Sequence, residues 1–120
     1  MSQTYLQDLQ NRLRQFAIER DWEQFHAPKN LAMALAVEAG ELMEHFQWLS
    51  EEQSENLDKQ QLETVGLEVA DVFIFTVRLA DRLGIDLADL VDRKIKMNEK
   101  KYPVELVRGS SKKYTEYNQE

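Results

Sequence analysis

Apolar positions recur along this chain at intervals of three and four, the period that puts them on one face of an α-helix. Leu6, Leu9, Leu13, Phe16 and Ala17 share such a face and predict a helix over residues 4–20. Residues 21–29, with Pro28, read as a connector. A second helix is predicted over residues 30–49, striped by Leu31, Leu35, Glu38, Leu42, His45 and Leu49. Residues 50–58 are polar and read as a loop. A third helix is predicted over residues 59–83 and stops at Gly84, a favourable glycine for a helix C-terminus. Asp86 is placed to N-cap a fourth helix that runs to about residue 101, just before Tyr102-Pro103. From residue 104 the chain is polar and reads as an extended tail.

With four glycines, two prolines and few β-branched residues in 120, the expected fold class is all-α. The expectation is a four-helix bundle in a single domain spanning residues 1–120. The third helix is apolar nearly all round between Val65 and Leu79. Such a helix is buried on most sides, and four helices struggle to cover it. A homo-oligomer, dimer or tetramer, is expected to complete the bundle.

Two acids interrupt the apolar stripes. Glu38 stands in the second helix where leucine fits the pattern, and Glu68 does the same in the stripe Val65, Glu68, Val72, Phe75, Leu79. Each is followed three residues later by another acid, Glu41 and Asp71, and that spacing keeps a couple on one helix face. A buried carboxylate is costly unless it is paired or binds a metal. A single couple of this kind is more often a set of acids paired with Lys or Arg. Two matched couples inside apolar helices favour a cation site, formed where the two helices pack antiparallel. Hard oxygen ligands suit Mg²⁺ or Mn²⁺.

Charge narrows the function further. Fifteen basic against twenty-two acidic residues give a net charge of -7, which argues against binding polymeric nucleic acid. A small anionic substrate stays possible, because a metal supplies positive charge. There is no cysteine, hence no disulfide or thiolate chemistry, which fits a cytoplasmic protein. The first residues lack the apolar core of a secretory signal. No uncharged apolar run reaches about eighteen residues, so no membrane span is expected.

The couples Glu38-x-x-Glu41 and Glu68-x-x-Asp71 resemble the signature of the all-α nucleotide pyrophosphohydrolases, the MazG superfamily. Further blocks are similar to its dCTP pyrophosphatase branch: Asp21-Trp22-Glu23-Gln24-Phe25-His26, Phe46-Gln47-Trp48, Lys94-x-x-x-Asn98-x-x-Lys101-Tyr102-Pro103, and Arg108-Gly109-Ser110. The resemblance covers roughly residues 10–115. It implies hydrolysis of a nucleoside triphosphate, dCTP or a modified deoxynucleotide first, to the monophosphate and pyrophosphate, with the removal of unwanted nucleotides as the cellular role. It implies Mg²⁺, with Mn²⁺ able to substitute, held by Glu38, Glu41, Glu68 and Asp71. Glu38 and Glu41 are then the catalytic candidates, with Glu41 placed to accept a proton from the attacking water. It also favours Trp22 and Trp48 as a base-stacking clamp, although most tryptophans are core or interface residues. His26 reads as a contact to base or sugar, or as a capping group. Phe75 reads as pocket wall or core, and His45 as a structural residue on the inward face of the second helix. Lys94 and Asn98, one turn apart, are expected to reach phosphate or support the acids, with Lys101, Tyr102, Arg108 and Lys113 adding contacts from the C-terminal part.

Two other classes compete. A ferritin-like di-iron bundle requires Glu-x-x-His on two helices, and neither acidic couple is followed by such a histidine. A non-catalytic helical adaptor, or a bundle that only binds metal, would show no nucleotide hydrolysis.

Overall fold

A computed structural model describes residues 3–110. Its elements are α1 (Gln3–Glu19), a 3-10 turn (Glu23–Phe25), α2 (Pro28–Glu44), α3 (Glu51–Glu55), α4 (Lys59–Leu83), α5 (Leu87–Lys101) and α6 (Val104–Val107). The all-α class holds. The described residues carry six α-helices in place of four. α3 forms in the stretch expected to be loop, and α6 in the stretch expected to be extended. Residues 111–120, which include Lys113, lie outside the described residues. No helix among the described residues is long and apolar enough to cross a membrane.

Local chemistry explains the boundaries. The α1 helix ends with Asp21 in the left-handed region at φ 53, a conformation Asp tolerates better than most residues. The amides of Trp22 and Asp21 bond to the Ala17 and Ile18 carbonyls at 2.9 and 3.0 Å, a Schellman closure that aims the chain into the 3-10 turn. Pro28 opens α2, where its missing N–H costs nothing. The predicted second helix reaches residue 49, but α2 stops at Glu44. Residues 45–49 form tight turns, His45 N to Leu42 O at 3.2 Å and Leu49 N to Phe46 O at 2.9 Å. The reason lies just downstream: Ser50 is extended, and its side chain forms a reciprocal capping box with Gln53 that starts α3. Asp58 and Gln61 form the same box at the head of α4. Gly84, at φ 68, ends that helix with a second Schellman closure.

The chain divides into two compact units, Met1–Ile85 and Asp86–Glu120. In the first, α2 packs on α4, and α1 packs on α4. The α2–α4 pair is antiparallel: His45 lies beside Gln61 and Thr64, while Glu38 meets Glu68. The core of this unit is Leu6 and Ala17 of α1, Leu31 of α2, and Val77 and Ala80 of α4. Phe16, expected inward, is exposed, with the Arg20 guanidinium 3.7 Å over its ring. Apolar side chains also remain exposed on α2 (Met33, Val37, Met43) and α4 (Leu62, Leu67, Val69). In the second unit, Asp86 caps α5 by accepting from the Asp89 amide at 3.2 Å. Lys100 and Lys101 occupy its last turn, where positive charge suits the helix dipole.

Candidate active site

The antiparallel pairing brings Glu38 and Glu41 of α2 against Glu68 of α4. One carboxylate oxygen from each lies within 4.8 Å of the others. Glu38 and Glu68 are half-buried and Glu41 is exposed, so the trio has a dry floor and an open side. Asp71 stands outside this trio, yet close enough that its charge acts on both Glu38 and Glu68. Glu38 Oε2 is buried without a hydrogen-bond donor. A buried, unpartnered carboxylate oxygen is uncommon and calls for an explanation such as an ion or a catalytic role.

The electrostatics point the same way. Burial, followed by the Glu41 charge, holds the Glu38 carboxyl above the usual range. The Glu68 carboxyl is pushed up to about 7, first by a hydrogen bond with Glu41, then by burial and the charges of Glu38, Glu41 and Asp71. Like charges so close cannot all ionise without a counter-charge. Without a cation the group retains a proton near neutral pH. A divalent cation would replace that proton and give Glu38 Oε2 its missing partner. The donor set, carboxylate oxygens with one side open to solvent, fits a hard cation that keeps water ligands.

The other candidate residues fall in four places. Trp22 and His26 lie at the start of α2. Trp22 packs edge-on against Phe16, with ring centroids 5.7 Å apart, and is tilted over His26 at 6.4 Å. Trp48 lies past the other end of α2 and is 86% exposed. The 17-residue α2 helix, about 25 Å long, thus stands between the two tryptophans along the chain. Phe75 is half-buried on α4. His45, expected inward, is exposed and lines a shallow cavity of about 250 Å³ with Leu57, Asp58 and Gln61. The α2 helix gives way to turns at this residue, which takes it off the buried stripe.

The remaining candidates belong to the second unit. Lys94 and Asn98 are exposed on α5, and the Asn98 carbonyl accepts from the Tyr102 amide at 2.9 Å. Lys101 is half-buried, and Tyr102 and Arg108 are exposed.

One group escaped the sequence reading. Arg78 of α4 is 4% exposed and donates in three directions: to Glu23 at 2.6 Å, to Asp81 at 3.1 Å and to His26 Nδ1 at 3.2 Å. Arg14 of α1 grips the same Asp81 with two bonds, at 2.6 and 3.2 Å. Arg82 adds a looser contact to Glu23 at 3.7 Å. The signal was present in the sequence: Arg78 and Asp81 interrupt an apolar run at a spacing of three, as the acidic couples do.

Comparison with known proteins bears on the family and the fold. Residues 33–117 match the MazG-like family. In sequence, the chain is 46% identical over 113 residues to dCTP pyrophosphatase 1 of Rattus norvegicus, covering 92% of this chain and 66% of that protein. It is 44% identical over 113 residues to dCTP pyrophosphatase 1 of Homo sapiens, with the same shares. The chain thus spans about two thirds of the length of these curated relatives. A crystal structure of a pyrophosphatase from Archaeoglobus fulgidus superposes with a TM-score of 0.72 at 38% identity, covering 82% of this chain and 93% of that one. The chain belongs to the MazG-like family.

Proposed function

We propose that this protein is a divalent-metal-dependent pyrophosphohydrolase that converts a nucleoside triphosphate, dCTP first, to the monophosphate and pyrophosphate. The observation that carries this reading is the convergence of Glu38, Glu41 and Glu68 around a buried carboxylate oxygen that has no partner. The relatives named dCTP pyrophosphatase support the choice of substrate. Removal of modified deoxynucleotides from the cytoplasmic pool is the role that fits the reaction.

In this reading Glu38, Glu41, Glu68 and Asp71 hold Mg²⁺, with Mn²⁺ able to substitute. The cation, when bound, neutralises phosphate charge and acidifies a water. Glu41, the open member of the trio, accepts the proton of the attacking water. Glu38 and Glu68, both half-buried, hold the cation from the inner side of the site. Lys94, Asn98, Lys101, Tyr102 and Arg108 serve the triphosphate.

Trp48 follows Glu41 by seven residues, in the turns just past the end of α2, and is the indole that accompanies the trio within one chain. Glu38 lies ten residues into α2 from Pro28, about 15 Å. We therefore assign Trp22 and His26 to the nucleotide of a second copy of the chain. The exposed apolar side chains of α2 and α4 favour such a homo-oligomer, dimer or tetramer. The family match crosses both compact units and favours their acting as a single domain.

The test is a panel of canonical and modified dNTPs and NTPs, assayed for pyrophosphate release with Mg²⁺ and then with EDTA. Release that depends on Mg²⁺ and is lost in Glu38→Gln, with helical content retained, is the expected result. Undiminished hydrolysis in Glu38→Gln overturns the site assignment. No hydrolysis of any nucleotide by the folded protein returns the acids to a binding or adaptor role.

A further inference from the structure

Arg78 is the buried charged side chain among the described residues, and the proposed reaction makes no use of it. A guanidinium carries only donors and stays protonated. Its Nε lies 3.2 Å from His26 Nδ1, so that ring nitrogen accepts and carries no proton of its own. The proton of a neutral His26 ring is therefore on Nε2. Burial, followed by the Arg78 and Arg82 charges, opposes ionisation of the ring. The same guanidinium holds Glu23 at 2.6 Å, and Asp81 braces it from behind with Arg14. Arg78 thus fastens both ends of the Glu23–His26 segment to α4, and Trp22 leads directly into that segment.

We propose that Arg78 is a positioning residue for the substrate site: it fixes His26 as a neutral hydrogen-bond donor through Nε2 and pins the Trp22–His26 connector to α4. The inference rests on the reading of Trp22 and His26 as substrate contacts. It adds that their competence is set from a second helix, through a residue that touches no substrate.

Two experiments test it. Nitrogen-detected NMR of ¹⁵N-histidine protein, with His26 assigned by its absence in His26→Gln, reads the tautomer in the unaltered chain. Nδ1 bare and Nε2 protonated at neutral pH is expected; the opposite tautomer, or an imidazolium, overturns the proposal. In steady-state kinetics with dCTP, Arg78→Lys and His26→Gln should each raise KM by about tenfold, the order of one lost hydrogen bond, with kcat within about twofold. The double variant should add little, because the two residues act as a unit. Mn²⁺ affinity at the acidic trio should match the parent in all three. Equal losses in kcat and Mn²⁺ affinity, or additive effects on KM, overturn the positioning role. A parent protein that hydrolyses no nucleotide overturns the functional reading, and its His26 tautomer still decides what Arg78 does to the ring.

Discussion

Replacing Glu38 by Gln should invert the order of stability between metal-free and metal-loaded protein. Without metal, Glu38 sits within 4.8 Å of the Glu41 carboxylate, with Oε2 unpartnered. Two unit charges at that distance repel by about 0.9 kcal/mol in bulk water and about 3.5 kcal/mol at an effective dielectric constant of 20. Glu41 is exposed, so the value belongs near the water limit, about 1 kcal/mol. Gln removes one charge and offers its amide as a donor to the remaining carboxylates. In EDTA, Glu38→Gln should therefore melt higher than the parent, by about 3–6 °C for a chain of this length. With divalent cation at a hundred times its Kd, the parent should gain about 2.7 kcal/mol and overtake the variant, which should gain little. Calorimetric or circular-dichroism melting in EDTA and in Mn²⁺ reads both arms. A variant less stable than the parent in EDTA, or one with the same gain in Mn²⁺, would refute the reasoning that these acids crowd together to hold a metal.

Three further outcomes follow. Glu68 has a folded pKa of about 7, above the ordinary carboxylate value, so the metal-free fold loses this group's contribution as pH rises through about 7; metal must displace the same proton, so Mn²⁺ affinity by titration calorimetry should rise as pH increases from 6 to 8, and a flat profile would contradict it. Trp48→Ala should leave thermal stability within about 0.5 kcal/mol, since the ring is 86% exposed, while KM for dCTP rises about tenfold for a lost stacking contact; an unchanged KM removes Trp48 from the site. Asp21→Gly should preserve or raise stability, whereas Asp21→Val should cost at least about 1–2 kcal/mol in urea denaturation, because only the first accepts φ 53 without strain.

The parts of this fold that the sequence announced are those with marked ends. The bounds of α4 agree with expectation because Asp58 and Gln61 cap one end and Gly84 the other. α2 runs short of its predicted end because its apolar stripe continues through Leu49, while the capping box of Ser50 requires the chain to leave the helix first. α3 and α6, five and four residues long, are too short to show a period. For the site, the convergence of Glu38, Glu41 and Glu68 was legible because each couple lies on one helix face and one packing step joins them. The separation of the tryptophans follows from the length of α2, which spacing along the chain already encodes. Arg78 and Asp81 stand out in the sequence as interruptions of an apolar run, but the partners of Arg78 across the fold were not legible. They depend on where the connector between α1 and α2 docks on α4, and no local pattern in residues 21–26 specifies that docking.

The most direct measurement is phosphorus NMR of dCTP incubated with the protein and Mg²⁺. The account predicts dCMP and pyrophosphate as the only products, formed together and abolished by EDTA. Orthophosphate with dCDP, or dCTP unchanged in the presence of folded, metal-loaded protein, would contradict it.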